Sequence, residues 1–185
     1  MQDKQQRLQQ RLEPEIQAFR DSCRTLLLDT VDVDGTPNVS YAPFALGEQG
    51  YYVLISDIAR HARNLKQVPQ VSLMLIEDEA ASRQIYARQR LTFDAAVRIV
   101  ERDSDEWSQA AAALQQRHGD IVSNLTQMDD FTLFCLQPQM GLYVKGFGQA
   151  YRVNPHDLID VLHLDQGHQP RPGHSPLAPQ AASTD

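Results

Sequence analysis

From residue 25 to residue 153 the chain keeps returning to short runs of aliphatic, aromatic and β-branched residues, each cut off by Gly, Pro, Asp or Asn. Short strands with polar turns between them restrict a chain to an antiparallel β architecture. The clearest pair is residues 25–31 and 39–45, joined across Asp34-Gly35-Thr36-Pro37. Asp-Gly supplies the positive φ that a tight hairpin requires. Residues 51–56 follow the turn Glu48-Gln49-Gly50, and residues 71–76 are apolar enough for a central strand. Residues 90–100 form the next run. Residues 131–136 and 142–153 are expected as two further strands, split by Pro138 because proline cannot donate to a ladder. In the second of these, Gly146 and Gly148 allow a bulge or a close approach by another group.

Helices are spliced between these runs. Leu8, Leu12, Ile16 and Phe19 recur at helical spacing, with Pro14 expected to mark the start of the helix proper. Residues 59–66 predict a short helix stopped by Pro69. The carboxylates of Glu77-Asp78-Glu79 suit the positive end of a helix over 77–87. Ser104 or Asp103 caps a helix over 104–117, with Glu106 in its first turn. A further short helix is expected at 157–162. The whole reads as mainly β with added helices, an antiparallel barrel carrying helical decoration.

A chain of 185 residues fits one domain and can bury a core without disulfides. The formal net charge of -7 argues against nucleic acid and anionic membrane as partners, since both recruit basic surfaces. The polar start Met1-Gln2-Asp3-Lys4 has no apolar segment behind it, and no run approaches the length of a membrane span. Cys23 and Cys135 stand far apart and form no CxxC. The expectation is a reduced, cytoplasmic chain. Residues 1–168 make the domain, and residues 169–185, rich in Pro, Ala, Ser and Gln, have the composition of a mobile tail.

Several stretches taken together resemble a known family. They are Arg11-Leu12-Glu13-Pro14-Glu15, Pro37-Asn38-Val39-Ser40-Tyr41-Ala42-Pro43-Phe44 and Ile58-Ala59-Arg60-His61-Ala62-Arg63-Asn64-Leu65. Arg90-Leu91-Thr92-Phe93-Asp94-Ala95, Lys145-Gly146-Phe147-Gly148-Gln149-Ala150-Tyr151 and Gly167-His168 continue the match in order. The chain is similar, from its first helix to His168, to the HutZ/HugZ-type haem-utilisation proteins. The resemblance implies a split β-barrel of the pyridoxamine-phosphate-oxidase-like, FMN-binding superfamily, assembled as a homodimer. It also implies haem at the dimer interface, where flavin-dependent relatives hold FMN.

Carried over residue by residue, the resemblance assigns His168 as the axial ligand of the haem iron. By composition alone, a histidine in a polar tail is solvent-exposed, and His163 and His174 are its neighbours in kind. A metal-bound imidazole needs an acceptor for its second N–H. The resemblance gives that place to Asp130 of the neighbouring subunit, with Asp129 one position away. Arg60, His61 and Arg63 lie in a basic run unusual for so acidic a chain, with Arg60 and Arg63 on one helix face. Arginines there suit haem propionates or a flavin phosphate equally. Arg88, Arg90 and Lys145 are further candidates for an anionic group, although Lys145 could equally guard a strand edge. The implied activity is oxidative haem degradation to a biliverdin-type product with release of iron. A non-catalytic haem carrier or store, and an FMN-dependent oxidoreductase, are the alternatives. The sequence names no electron donor.

Overall fold

The computed structural model describes residues 2–155 and the pair 159–160, with side chains from residue 6 to residue 155. The chain opens with helix α1, Gln2–Ser22. It runs straight through Pro14, which therefore does not mark its start. Leu12 and Ile16 on either side are fully buried, and Phe19 nearly so. Burying three such side chains contributes about 6 kcal/mol, more than the roughly 3 kcal/mol an interior proline costs.

Strands β1 (Thr25–Val31) and β2 (Pro37–Pro43) form the expected hairpin, from Thr25 opposite Pro43 to Val31 opposite Pro37. Asp32 Oδ1 accepts from the amides of Asp34 and Thr36 and closes the turn around Gly35 at φ 79°. Strands β3 (Ala45–Gly47) and β4 (Gly50–Ser56), helix α2 (Arg60–Gln67) and strand β5 (Gln70–Ile76) follow. After β6 (Arg90–Ile99) come α3 (Asp105–His118), α4 (Ile121–Leu125), β7 (Phe131–Gly146), β8 (Gln149–Val153) and the two-residue β9 (Ile159–Asp160). All described strand pairings are antiparallel, in the order β2-β1-β5-β6-β7-β4-β3, with β8 on β7 and β9 on β8.

β7 is where the sheet forks. Its first half pairs with β4, from Tyr51 opposite Leu136 to Ser56 opposite Phe131. Its second half pairs with β8, from Gly141 opposite Val153 onward. Pro138 falls between the two, so it breaks no strand. Neither β4 nor β8 reaches it, and no partner on that side lacks a donor. On its other side the β6 register shifts between Phe93 and Ala95, a bulge that accommodates the ring. The chain breaks instead after Gly146, at a turn where Gly148 takes φ 66°. The sheet curls into the half of a split barrel, the fold class expected from the sequence.

β4 is buried on both faces, which is why it reads as a continuous apolar run. Tyr51, Val53 and Ile55 join the barrel core with Leu12, Ile16, Leu73, Phe93 and Tyr143. Tyr52 and Leu54 face a second core formed with Ala110, Leu114 and Val122 of α3 and α4.

Two expected helices do not appear among the described residues. Residues 77–87 carry only single 3-10 turns, Glu79–Ala81 and Ile85–Ala87, capped by the side chains of Asp78 and Gln84. No residue of either turn is buried, so a longer helix would have no apolar face to dock. Residues 159 and 160 pair with Val153 and Arg152 as a strand, and the rest of 157–162 lies outside the described residues. Among the described residues, no helix is long and apolar enough to cross a membrane.

Candidate functional site

The candidate residues fall into two groups, carried by opposite ends of the sheet. The first surrounds the start of α2. Arg60 reaches back to the hairpin turn and pairs with Asp32 Oδ2 at 3.2 Å. The Asp32 carboxyl sits below its ordinary range, chiefly because Thr36 N–H donates to it, with Arg60 adding to the effect. Arg63 donates to the carbonyl of Ile58. His61 is half-buried, and desolvation pushes its pKa below the usual 6.5, leaving a neutral imidazole at physiological pH.

Asp130 belongs to this same corner. Its carbonyl accepts from Asp57 N at 2.7 Å, and its Oδ2 accepts from Ser56 Oγ at 3.3 Å. Asp57 is the hub: Oδ1 takes Lys66 Nζ at 2.7 Å and Thr132 Oγ1 at 2.7 Å. Desolvation raises its pKa, but the bonds from Lys66 and Thr132 outweigh that and hold it below the usual carboxylate range. Asp57 escaped the sequence reading because only tertiary pairing distinguishes it from any polar residue closing a strand.

The second group lies where β6 begins. Arg88 donates to the carbonyl of Glu77 and stands 3.6 Å from Glu79, whose side chain is 72% exposed. Arg88 Nε is buried and finds no acceptor among the described residues. Arg90 Nη1 donates to the carbonyl of Arg88 at 3.2 Å. Arg88 is thus partly offset by the exposed Glu79, whereas Arg90 is oriented by a carbonyl that does not neutralise it. Lys145 is different, with Nζ 2.6 Å from Glu15 Oε2. Glu15 Oε1 accepts from the buried Tyr143 OH at 2.7 Å, and Gln89 Nε2 donates to the same phenol. Burial, then Glu15, push the Tyr143 pKa up, so the phenol stays protonated. Glu15 and Tyr143 were not singled out from sequence; Glu15 pairs across 128 to 130 residues, which no local pattern reveals.

Arg90 pairs with Val144, and Ile99 at the far end of β6 pairs with Phe134, near Asp130. Ten residues of β6 therefore separate the groups, up to about 30 Å along the strand. β9 runs from the row of Val153 to that of Arg152, opposite Gly141 and Leu142 in turn, and so heads toward the end that carries Arg90. His168 itself lies outside the described residues. Of the described histidines, His118 is engaged elsewhere, with Nε2 2.8 Å from the carbonyl of Phe44.

Arg90, without a carboxylate partner among the described residues, and Arg88, whose Glu79 partner is exposed, suit a ligand with carboxylates at one edge, as haem has, and equally a phosphate. Among the described residues, no three His, Cys, Asp or Glu side chains cluster to hold a metal ion.

Residues 12–145 match the pyridoxamine 5'-phosphate oxidase family. The chain is 59% identical over 166 residues, 90% of its own length and 94% of the relative's, to a Vibrio cholerae serotype O1 protein named heme oxygenase HutZ. The solved structure of HutZ from Vibrio cholerae, described as a heme storage protein, superposes with a TM-score of 0.70 at 58% identity, covering 72% of this chain and 94% of that one. Campylobacter jejuni ChuZ gives a TM-score of 0.76 at 28% identity, over 85% of this chain and 65% of its own.

Proposed function

We propose that this chain, which belongs to the pyridoxamine 5'-phosphate oxidase family and within it to the HutZ group, binds haem and degrades it oxidatively with release of iron. The observation that carries the reading is the state of Arg88 and Arg90. Arg90 has no carboxylate partner among the described residues, and Arg88 is held only by the exposed Glu79 and a carbonyl, at the end of the sheet toward which β9 leads the chain. Seven residues lie between Asp160 and His168, eight steps of chain that span at most about 28 Å. An imidazole on that segment is within reach of a haem whose propionates sit on the arginines.

Within this reading each side chain has a task. His168 presents a neutral imidazole as the iron ligand. Asp130 accepts its second N–H and makes the ligand more basic. Arg88 and Arg90 hold carboxylates, and Arg60, His61 and Arg63 line the other side. One copy of the chain carries these groups at opposite ends of β6, so a homodimer completes the site, one copy supplying the α2 corner with Asp130 and the other the β6 end with His168. Bound haem supplies the redox centre at which dioxygen, given electrons from a separate donor, opens the ring to a biliverdin-type product. The setting is cytoplasmic, in keeping with Cys23 and Cys135 as free thiols.

Two rival readings use the same residues. A haem store needs the same ligand and no turnover, matching the storage description given to the Vibrio cholerae structure. An FMN-dependent oxidoreductase would place a phosphate on Arg60 and Arg63, as the family relationship allows. Haemin titration of wild type, His168→Ala and Arg88→Ala tests the assignment. A sharp Soret band that is lost in the first variant and weakened in the second supports it. Equal Soret titrations in all three proteins remove His168 from the iron, and a purified protein that is yellow and indifferent to haemin favours flavin.

A further inference from the structure

Residues 77–89 leave β5 and return to β6 as an arm tied at its neck. Glu77 N donates to the carbonyl of Gln89 at 2.9 Å, and Gln89 N donates to Glu77 Oε1 at 3.0 Å. Inside the arm, Asp78 Oδ1 accepts from Ala80 N at 2.8 Å, Gln84 Oε1 accepts from Tyr86 N at 3.4 Å, and the carbonyl of Gln84 accepts from Ala87 N at 2.9 Å. A loop closed at both ends and braced by its own side chains has a defined shape, and loops of this kind are often functional. This one holds its apolar side chains away from the core. Tyr86 is 86% exposed and Ile85 is 55% exposed.

We infer that Ile85 and Tyr86 form an apolar platform against which the haem macrocycle lies, beside the arginines that take its propionates; this rests on the haem reading above. The argument is one of matched chemistry. Haem is a flat apolar ring with carboxylates along one edge. The arm offers an aromatic and an aliphatic side chain, and within four residues of Tyr86 the guanidiniums of Arg88 and Arg90. Another protein surface could also cover Tyr86 and Ile85; what favours haem is the neighbouring cation of Arg90, which is held by a carbonyl and has no carboxylate partner among the described residues. The apolar ring of haem and its carboxylate edge match the exposed side chains and that cation together. The rigid ring of tyrosine suits the role, since it buries a large area while losing little conformational freedom. The bracing of the arm prepays part of the ordering cost of binding.

The test is a haemin titration of Ile85→Ala/Tyr86→Ala and of Tyr86→Phe, with circular dichroism and the elution volume of the haemin-free proteins recorded alongside. Both side chains are exposed, so the fold should survive their removal. The double variant should bind haemin about tenfold more weakly, the scale of one lost aromatic contact with its buried area. Tyr86→Phe should bind like wild type, because the ring and not the hydroxyl makes the platform. Unchanged affinity in the double variant overturns the inference while leaving the haem reading intact. A double variant that elutes later than wild type without haemin also overturns it, since the arm would then be a contact between copies. No Soret band in wild type sinks the haem reading and the platform with it.

Discussion

Lys145 Nζ lies 2.6 Å from Glu15 Oε2, across the gap between the end of β7 and α1. The sequence offers Lys145 as a cation for an anionic ligand, yet its charge is already matched within the chain. Its carboxylate partner is shared with Tyr143, so the three side chains tie α1 to the barrel.

Haemin affinity should therefore be nearly indifferent to Lys145. Lys145→Met is expected to leave it within about threefold of wild type, with at most about 1 kcal/mol lost from stability for a half-exposed pair. Glu15→Ala should cost more, about 1–3 kcal/mol, because the buried Tyr143 hydroxyl loses its acceptor. Urea denaturation of the two variants, beside haemin titration, separates the effects.

A second expectation concerns acid. Arg98 donates to both oxygens of Glu106, and Tyr52 OH donates to Oε1 at 2.6 Å, clamping α3 onto β4 and β6. The bonds from Arg98 hold the Glu106 pKa below its ordinary 4.5, against the opposing pull of desolvation. The unfolded chain therefore binds this proton first as pH falls. The stabilisation is complete above about pH 4.5 and is lost as pH drops through the depressed folded pKa. Glu106→Gln should lower stability by about 1 kcal/mol near neutrality and flatten the acid limb of a plot of stability against pH. An acid limb unchanged in the variant would show that other carboxylates govern it.

Gly50 is fixed by its backbone. It takes φ 143°, and a Cβ there would sit 2.2 Å from the carbonyl oxygen of Leu136, the strand neighbour of Tyr51. Gly50→Ala should destabilise the protein by about 3 kcal/mol or more. Gly35→Ala, at φ 79° with open space around it, should cost only about 1 kcal/mol. Equal losses at the two sites would mean that φ alone, and not the clash with β7, sets the cost.

How far the sequence disclosed the fold depended on whether local chemistry decided the outcome. The first hairpin was legible because Asp34-Gly35 dictates its turn, and α3 because Ser104 Oγ accepts from Trp107 N at 3.1 Å as a cap. Pro14 and Pro138 misled because their surroundings overrule them. Buried neighbours carry α1 through the first, and the fork of β7 leaves the second with no donor to miss. The acidic start of 77–87 looked helical, but nothing there packs, so the arm forms instead. At the site, the basic residues were visible by composition, while their partners were not. Asp32, Asp57 and Glu15 come from distant segments and offset Arg60, Lys66 and Lys145.

The central claim is that haem is consumed, and aerobic turnover tests it most directly. The haemin-loaded protein would be mixed with ascorbate in air, with the Soret band followed beside the absorbance of a ferrous-iron chelator. The account predicts that the band bleaches, that bilin absorbance grows, and that about one iron is released per haem, with none of this in His168→Ala. A Soret band that persists unchanged under reductant and oxygen would contradict it and leave the protein a haem store.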